Sequence, residues 1–292
     1  MLVSAPGSSA NLGPGFDCLG LAVELPFLLS VGEPTPGRTM HEVEPTHPAA
    51  VAFRDAGGDA GVRLWWNSPI PPGRGLGFSG AARVAGAFAA LRCAGADTAT
   101  ARSEAFVVAA GLEGHGDNAA ASAHGGLTVA VDRTVVRLDP PTGVALLAWS
   151  PARRTSTARS RSVLPREVAL ADAAFSVARA SLWVAAVASG RTDLLMEASR
   201  DQLHQPHRLA SREDCAEVLS LLRASDGVLA AWLSGSGPTV AALVDPAVLP
   251  DTGGIRWPPG TRRCETARAR PRRGARDRAV RGLIPDQIGQ VW

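Results

Sequence analysis

A glycine-rich loop that leads into a helix carries the clearest chemical signal in the chain. Residues 71–82 read PPGRGLGFSGAA, and an alanine-rich run at residues 81–94 follows directly. Glycines let backbone N–H groups approach a ligand without interference from a Cβ atom. The first turn of the following helix adds free N–H groups and the positive end of the helix dipole. The loop therefore predicts a phosphate-binding site.

The absence of lysine narrows the phosphate chemistry that this loop can support. All 30 basic residues are arginines. A Walker A loop and a protein-kinase site each need a lysine on the phosphates, and Schiff-base chemistry needs a lysine nucleophile. Residues 75–80 also satisfy the dinucleotide pattern G-x-G-x-x-G, but Pro69, Pro71 and Pro72 interrupt the strand that should precede it. An NAD(P)-dependent oxidoreductase is therefore a disfavoured alternative.

Four further segments extend the pattern along the chain. Residues 8–17 read SSANLGPGFD, residues 113–118 EGHGDN, residues 204–208 HQPHR and residues 233–239 LSGSGPT. Together with the loop at 71–82, these motifs resemble the GHMP kinase superfamily and, within it, the homoserine kinase type. The resemblance covers roughly residues 3 to 245 and rests on several ordered motifs rather than on one loop.

The resemblance implies an α+β, two-domain GHMP kinase-like fold. An N-terminal S5-like α/β domain would span residues 1–140, and a C-terminal ferredoxin-like α+β domain would span residues 141–250. Residues 251–292 would form an arginine-rich tail, with ten arginines between positions 256 and 281. This segment has little apolar periodicity and does not resemble the family, so we expect a non-catalytic tail whose order the sequence does not define.

The resemblance also implies ATP as the phosphoryl donor, with Mg²⁺. Ser79 and Glu113 are the expected metal ligands, since Mg²⁺ takes one or two protein oxygens and keeps several waters. The expected nucleotide-binding residues are Pro72, Gly73, Arg74, Gly75, Leu76, Gly77, Phe78, Ser79, Gly80 and Ala81.

One position departs from the family pattern. Phe78 stands where the family has a serine, which removes one hydrogen-bond donor and puts a bulky ring beside the phosphates. An adenine-contacting asparagine is also not recognisable, and residues 47–53 stand in its place. A GHMP-type kinase of other specificity, or a degenerate nucleotide-binding homologue, is therefore the alternative function.

The acceptor implied by the resemblance is L-homoserine, which would become O-phospho-L-homoserine on the route to threonine. An aspartate suits the substrate ammonium group, and two guanidinium groups suit its carboxylate as a bidentate clamp. The asparagine of the first motif would orient the hydroxyl, and Thr157 would support the phosphates or the substrate. The expected substrate-binding residues are Asn11, Asp17, His115, Arg161 and Arg208, and the expected catalytic residues are Asn11, Ser79, Glu113 and Thr157.

Two histidines of the motif at residues 204–208 suggest a different function for that motif. His204 and His207 are close enough in sequence to suggest a metal site. Pro206 lies between them, and no further ligand accompanies them, so a metal there is disfavoured.

Composition places these motifs in a globular protein. The chain has 292 residues, of which 46% are hydrophobic and 20% charged. Its apolar stretches look too short for a membrane span, and residues 1–10 lack a leader pattern, so we expect a cytoplasmic protein. The four cysteines are widely spaced and expected to be reduced. With a net charge of +3, the expected partner is a small-molecule substrate rather than nucleic acid or membrane; a homodimer is left open.

Alternating strand and helix patterns are expected to position the motifs. Strands are predicted at residues 2–5, 20–31, 61–66, 127–131, 144–149, 228–233 and 240–244. Helices are predicted at residues 81–94, 100–113, 118–123, 167–189 and 214–224.

Overall fold

The computed structural model describes residues 1–247 and the strand at residues 265–267. The strands are β1 (Leu2–Ala10), β2 (Leu19–Val31), β3 (His41–Glu42), β4 (Leu64–Asn67), β5 (Leu127–Val131), β6 (Thr134–Leu138), β7 (Ala145–Trp149), β8 (Val228–Leu233), β9 (Val240–Val244) and β10 (Glu265–Ala267). The helices are α1 (Pro48–Asp55), α2 (Phe78–Cys93), α3 (Thr98–Glu113), α4 (Asp117–His124), α5 (Thr157–Ser162), α6 (Leu170–Ser189), α7 (Leu195–Ala198), α8 (Gln205–Leu209) and α9 (Glu213–Arg223), with a 3₁₀ turn at Thr192–Leu194.

The first sheet is antiparallel and is organised around the long strand β2. Its order is β3-β4-β2-β5-β6, and β1 pairs with β2 outside that path. Helices α1 to α4 cover this sheet, with α2 packed against α1, α3 and β1. The core beneath them is rich in alanine, which lets the helices approach closely. This packing fixes the start of α2, where the glycine loop ends, next to the end of β1.

The second sheet has the order β10-β7-β9-β8, and its strands β7, β8 and β9 contribute side chains to a core on each face. Alternate residues of β8 point to opposite sides: Ala230 and Trp232 join a core shared with α6 and β2, whereas Ala231 and Leu233 join the core under α9. This two-residue alternation is the side-chain period of a strand. Both faces are apolar because helices cover one and the first sheet helps to cover the other.

Trp183 of α6 ties the two sheets together at the loop after β1. Its side chain is fully buried, and its Nε1 donates a hydrogen bond to the carbonyl oxygen of Leu12 at 2.7 Å. Its ring packs edge-to-face on Trp232 with centroids 5.9 Å apart. The loop that carries the first motif is therefore anchored to the second sheet.

The α+β class and most of the predicted elements are confirmed, with differences at their edges. Helix α2 begins at Phe78 rather than at residue 81, because the helix starts directly after the left-handed Gly77. Strands β3 and β6 and helices α1, α5, α7 and α8 were not predicted. Strand β10 lies inside the segment predicted as a loop-like tail and pairs with β7. The rest of that tail lies outside the described residues.

Helix α6 corrects one expectation from the sequence. It has 20 residues and a window of mean hydropathy 1.4, so by length and composition it is able to cross a membrane. The sequence reading treated every apolar stretch as too short. A single helix of this kind is weak evidence, because core helices of soluble proteins pass the same test. About a fifth of that window, 22%, is buried in the fold, including Trp183.

Candidate active site

Three glycine-rich segments that are far apart in sequence meet at one place. Gly235 donates its N–H to the carbonyl oxygen of Ala10 at 3.0 Å. The Ser234 hydroxyl donates to the carbonyl oxygen of Gly75 at 2.6 Å, and the N–H of Ser8 donates to the carbonyl oxygen of Leu76 at 3.2 Å. The segments at 8–17, 71–82 and 233–239 therefore form one structural unit.

Two glycines of the loop are required by both conformation and space. Gly75 has φ of +80° and Gly77 has φ of +70°, which are left-handed conformations that other residues adopt at a cost. A Cβ atom on Gly75 would collide with the carbonyl oxygen of Ser234, and one on Gly77 with the Ser8 hydroxyl. The loop therefore takes this path only because these positions lack side chains.

The N-terminus of α2 is open toward the loop. Its N-cap residue is Gly77, which has no side chain to cap the helix. The first N–H groups of a helix have no intrahelical acceptors. The loop and the helix start therefore present a row of backbone donors, which is the arrangement that binds phosphate.

Phe78 directs its ring into the fold. The ring lies in an aromatic cluster with Phe27, His47 and Trp66, at centroid distances of 5.5, 5.8 and 5.4 Å. Burial lowers the pKa of His47 to about 4, so this imidazole is neutral. The ring thus has a packing role against the first sheet, which the sequence reading did not anticipate. The hydroxyl that the family has at this position is absent.

The predicted metal pair, Ser79 and Glu113, is brought together by a residue that the sequence reading missed. Arg83 lies one turn after Ser79 on α2, and its Nη1 donates to the Ser79 hydroxyl and to Glu113 Oε1, the latter at 2.6 Å. Both oxygens therefore lie within hydrogen-bond distance of one position, which Arg83 Nη1 occupies. A hydroxyl and a carboxylate in that arrangement fit Mg²⁺, which prefers oxygen ligands. The spacing of four residues on a helix was the signal that could have identified Arg83.

Arg208 is a buried cation held by backbone oxygens. Its side chain is only 2% exposed, and Nη1 donates to the carbonyl oxygen of Gly235 at 3.0 Å, while Nε donates to that of Ser160 at 3.3 Å. Burial, reinforced by the charge of Arg161, lowers the pKa of Arg208 to about 10, so the group stays charged at neutral pH. Within the described part of the chain its Nη2 has no hydrogen-bond partner, which leaves one donor for a ligand.

His204 positions Arg208, and both of its ring nitrogens are hydrogen bonded. Its Nδ1 accepts from Arg208 Nη1 at 3.1 Å, and its Nε2 donates to the carbonyl oxygen of Gly13 at 2.7 Å. Arginine only donates and a carbonyl only accepts, so this assignment fixes a neutral tautomer. Burial lowers the pKa of His204 to about 4, which agrees with the neutral form.

Arg161 lies on the same side of the site. It donates from Nη2 to Asp17 Oδ1 at 2.6 Å. The guanidinium groups of Arg161 and Arg208 both lie over the ring of Phe16, with Cζ atoms 5.4 and 5.3 Å from the ring centroid. The two arginines predicted as a clamp therefore converge, and Phe16, which the sequence reading passed over, is the surface between them.

Acidic groups face these arginines. Ligand atoms of Asp17, His115 and Asp117 lie within 4.8 Å of one another. His115 Nδ1 lies 2.6 Å from Asp117 Oδ1. Burial opposes the charge on His115, but the hydrogen bond and charge of Asp117 outweigh it, so the pKa of His115 lies above its ordinary value. Asp117 was quoted within a motif but not chosen as a site residue, although it starts α4 beside the predicted His115.

Asn11 links this charged group to the glycine segments. It adopts a left-handed φ of 68° and is 2% exposed. Its Nδ2 donates to the carbonyl oxygen of Gly235 at 3.0 Å, and its Oδ1 accepts from the N–H of Asp17 at 3.0 Å. Asparagine tolerates this conformation better than most residues. Asn11 therefore lies at the centre of the site and shapes the turn that carries Asp17.

Thr157 is placed less closely than the other predicted residues. It is the first residue of α5 and is exposed, and its hydroxyl has no partner among residues 1–247. The preceding segment does run beside the glycine loop: the N–H of Thr155 donates to the carbonyl oxygen of Gly73 at 2.9 Å, and Arg74 donates to that of Ala152 at 3.0 Å. Thr157 therefore lies at the rim of the site.

Comparison with known proteins agrees with this geometry. The model for the GHMP kinases N terminal domain matches residues 45–126, and that for GHMP kinases C terminal matches residues 183–251. The chain is 40% identical over 252 residues to the homoserine kinase of Thermus thermophilus, covering 82% of this chain and 85% of the relative. It is 39% identical over 269 residues to the homoserine kinase of Corynebacterium efficiens, covering 82% and 84%. The crystal structure of homoserine kinase from Cytophaga hutchinsonii matches with a TM-score of 0.71 at 25% identity, covering 84% of this chain and 85% of that one.

Fold and site together define a phosphotransferase of the GHMP kinase class, which acts on a hydroxyl group. Because the identity to curated relatives reaches 40% over most of both chains, the chain belongs to the homoserine kinase family within that class. The family, fold class and enzyme class expected from the sequence are confirmed.

Proposed function

We propose that the protein catalyses ATP-dependent phosphorylation of the hydroxyl of L-homoserine. The relatives named homoserine kinase support this substrate, and the charge pattern of the site supports it independently. The observation that carries the proposal is that two guanidinium groups and two carboxylates meet beside the ring of Phe16. Arg161 and Arg208 lie on it, and Asp17, His115 and Asp117 cluster nearby.

An amino acid with a free ammonium and a free carboxylate complements this pattern. The carboxylate would take the unused donors of Arg208 and Arg161, and the ammonium would take Asp17, with Asp117 adding negative charge behind it. Two guanidinium groups on one carboxylate give geometric specificity that a single point charge does not. Asp17 would then exchange part of its pairing with Arg161 for the ammonium group.

The nucleotide side would be formed by the loop from Pro72 to Ala81. Its backbone donors and the start of α2 would hold the phosphates of ATP. Ser79 and Glu113 would hold Mg²⁺, which when bound neutralises phosphate charge and orients the phosphates. The aromatic cluster around Phe78 leaves the backbone donors in place, since its ring packs against Phe27 and Trp66.

The transfer forms a bond between the homoserine hydroxyl oxygen and the γ-phosphorus, and breaks the bond from that phosphorus to the bridging oxygen of ADP. ADP leaves with the electron pair, and the hydroxyl proton is released. Asn11 would orient the hydroxyl, and Thr157 at the rim would support the phosphates. We assign no general base, because positioning and charge stabilisation supply most of the catalysis in phosphoryl transfer.

The test is ADP release from Mg-ATP with L-homoserine, and with L-serine and mevalonate as comparison acceptors. L-serine keeps both charges but has one methylene fewer, and mevalonate lacks the ammonium group. We expect ADP release that depends on homoserine and is much weaker with either comparison acceptor. ATP binding without acceptor-dependent turnover would contradict the proposal and favour a degenerate nucleotide-binding homologue.

The cellular setting follows from the same proposal. The product, O-phospho-L-homoserine, lies on the route to threonine. A cytoplasmic location agrees with the free thiols of Cys18, Cys93 and Cys215 in the described residues. The domain boundary at residues 140 and 141 and a homodimer stay predictions.

A further inference from the structure

Arg83 is a cation placed on the two oxygens that fit Mg²⁺. Its Nη1 bonds both the Ser79 hydroxyl and Glu113 Oε1. The side chain of Glu113 is 7% exposed and that of Arg83 is 21% exposed, so the pair is largely shielded from water. In such a place an ion pair is screened little by salt. Arg83 therefore satisfies a carboxylate that would otherwise be buried without a positive partner.

A guanidinium nitrogen and a metal ion cannot share this position. An Mg²⁺ ion approaches its oxygen ligands to about 2.1 Å, which is closer than the hydrogen bond at 2.6 Å between Arg83 and Glu113. Two positive charges on the same pair of oxygens also repel each other. Binding of the metal to Ser79 and Glu113 therefore requires Arg83 to move away.

We propose that Arg83 is an internal competitor of Mg²⁺: it holds Ser79 and Glu113 in the metal-free enzyme and is displaced when the metal-nucleotide complex binds. The proposal rests on the function proposed above and adds a positioning residue that neither the family motifs nor the sequence reading includes. Arg83 has the freedom to move, because it is partly exposed and its Nε has no hydrogen-bond partner among the described residues.

The competition has a consequence for nucleotide affinity. Without metal, Arg83 supplies a positive charge next to the phosphate loop and shields the phosphates from the carboxylate of Glu113. With metal, part of the binding free energy is used to displace Arg83. The native chain should therefore bind nucleotide with a weak dependence on Mg²⁺. Removal of Arg83 should weaken metal-free binding and strengthen metal-dependent binding, because the two ligands are coupled through one site.

The experiment is titration calorimetry of the β,γ-imido analogue of ATP in EDTA and in excess Mg²⁺. The measured quantity is the dissociation constant in EDTA divided by the dissociation constant in excess Mg²⁺. In Arg83→Met, which keeps the aliphatic stem but not the charge, we expect this ratio to rise about tenfold over the native value, the size of one hydrogen bond to a charged group. Arg83→Gln keeps a neutral donor and should behave like Arg83→Met.

Arg92→Met is the matched control. Arg92 lies on the same helix and donates to the carbonyl oxygen of Ala96, away from Glu113. We expect it to leave the ratio at the native value. Circular dichroism of each variant checks that the helix content is retained.

The outcomes separate the two proposals. A ratio that is unchanged or lower in both Arg83 variants would overturn the competition, even if the native chain binds the analogue well. A native chain that binds the analogue in neither buffer would overturn the proposed function itself. A ratio that rises in Arg92→Met as much as in Arg83→Met would also overturn the proposal. The loss of any positive charge on this helix would then have the same effect.

Discussion

The proposed acceptor side and the proposed nucleotide side of the site are built from different chemical groups. The acceptor side depends on charged side chains fixed by the fold: Arg208 is held by carbonyl oxygens and by His204, and Asp117 is held beside His115. The nucleotide side depends on the backbone of the glycine loop and on the open start of α2. The acceptor side would therefore bind its ligand through side chains, and the nucleotide side would bind its ligand through backbone groups.

This difference predicts how each side responds to substitution. A side-chain site loses its ligand when one charged group is removed, because the remaining groups are left unpaired. A backbone site is expected to tolerate a changed side chain, such as Phe78, but not a changed backbone path. Substitutions at the two sides should therefore separate specificity for the acceptor from binding of the nucleotide.

The largest effect is expected at Arg208. Arg208→Met should lower kcat/KM for homoserine by about 100-fold or more, as expected when one partner of a buried charged contact is truncated. The affinity for the ATP analogue should change less than about twofold. Steady-state kinetics and calorimetry measure the two quantities.

A second arginine provides the control for Arg208. Arg223 is also partly buried and donates to backbone carbonyl oxygens, those of Ser199 and Ala231, but contacts no predicted site residue. Arg223→Met should affect the free energy of unfolding rather than the affinity for homoserine. Equal loss of homoserine and nucleotide binding in Arg208→Met would show that Arg208 supports the fold rather than the acceptor.

The backbone path is tested at Gly75. Gly75→Ala should lower the affinity for the nucleotide about tenfold or more and destabilise the fold by about 2 kcal/mol, because the new Cβ meets the carbonyl oxygen of Ser234 in addition to the left-handed conformation. Gly95 also has a positive φ, of 91°, but a Cβ there meets nothing within 4 Å. Gly95→Ala should therefore show only the conformational cost, about 1 kcal/mol by urea unfolding. Similar losses in both variants would mean that the contact between the glycine segments is unimportant.

Substitutions in the exposed part of the acceptor side should weaken homoserine binding with little change in the free energy of unfolding. The side chains of Arg161 and Asp17 are 36% and 31% exposed, so their ion pair contributes little to the free energy of unfolding, about 0.5 kcal/mol. Arg161→Met should raise KM for homoserine about tenfold, the size of one charge-assisted hydrogen bond. Arg191→Met, which removes an exposed pair with Asp193 elsewhere, is the control and should leave KM unchanged. An unchanged KM in Arg161→Met would remove Arg161 from the clamp.

Phe78 tests how far the nucleotide side tolerates a new side chain. Phe78→Ser should maintain or raise turnover, because it restores a donor beside the loop and leaves the backbone path unchanged. It should lower the free energy of unfolding by about 1–3 kcal/mol through lost contacts in the aromatic cluster. Phe78→Leu keeps apolar contact and should lose less stability. A severe loss of turnover in the serine variant, with the fold intact, would show that the ring takes part in an altered site.

The sequence predicted the regular elements and the motifs better than the contacts between them. Helices α2 and α3 and strands β2 and β5 have periodicities and end signals that local chain properties determine. The meeting of Ser234 with Gly75 depends on how two sheets pack around Trp183, and no local pattern contains that information. The family resemblance chose residues within the motifs, and for that reason it passed over Arg83, which lies just after the motif at residues 71–82.

Three residues that sequence reasoning did not choose for the site share a physical property: each contacts a predicted site residue. His204 holds Arg208, Asp117 holds His115, and Arg83 contacts Ser79 and Glu113. Such roles depend on three-dimensional distance. Arg83 lies four residues from Ser79 and His204 lies four residues from Arg208, so spacing was a signal for these two contacts.

The smallest expected effect concerns acid stability and comes from histidines that the fold keeps neutral. Burial lowers the pKa of His47, His124 and His204 to about 4 from 6.5. The stability that such a depressed pKa contributes is present above pH 6.5 and is lost as the pH falls toward 4, because the unfolded chain takes up the proton first. The raised pKa of His115 acts in the opposite direction, so its contribution is present at low pH and is lost as the pH rises through that raised value.

His124 isolates this effect because it lies away from the acceptor clamp, against Phe106, with the charges of Arg102 and Arg137 also opposing its protonation. His124→Gln should flatten the fall in the urea midpoint between pH 6.5 and 5 by an amount equivalent to about 0.5 kcal/mol, a value reduced for its partial exposure. The exposed His41 is the control, and His41→Gln should leave the slope at its native value. Equal slopes in the native chain and in His124→Gln would mean that folding does not lower the pKa of His124, and that the acid sensitivity belongs to His47 and His204.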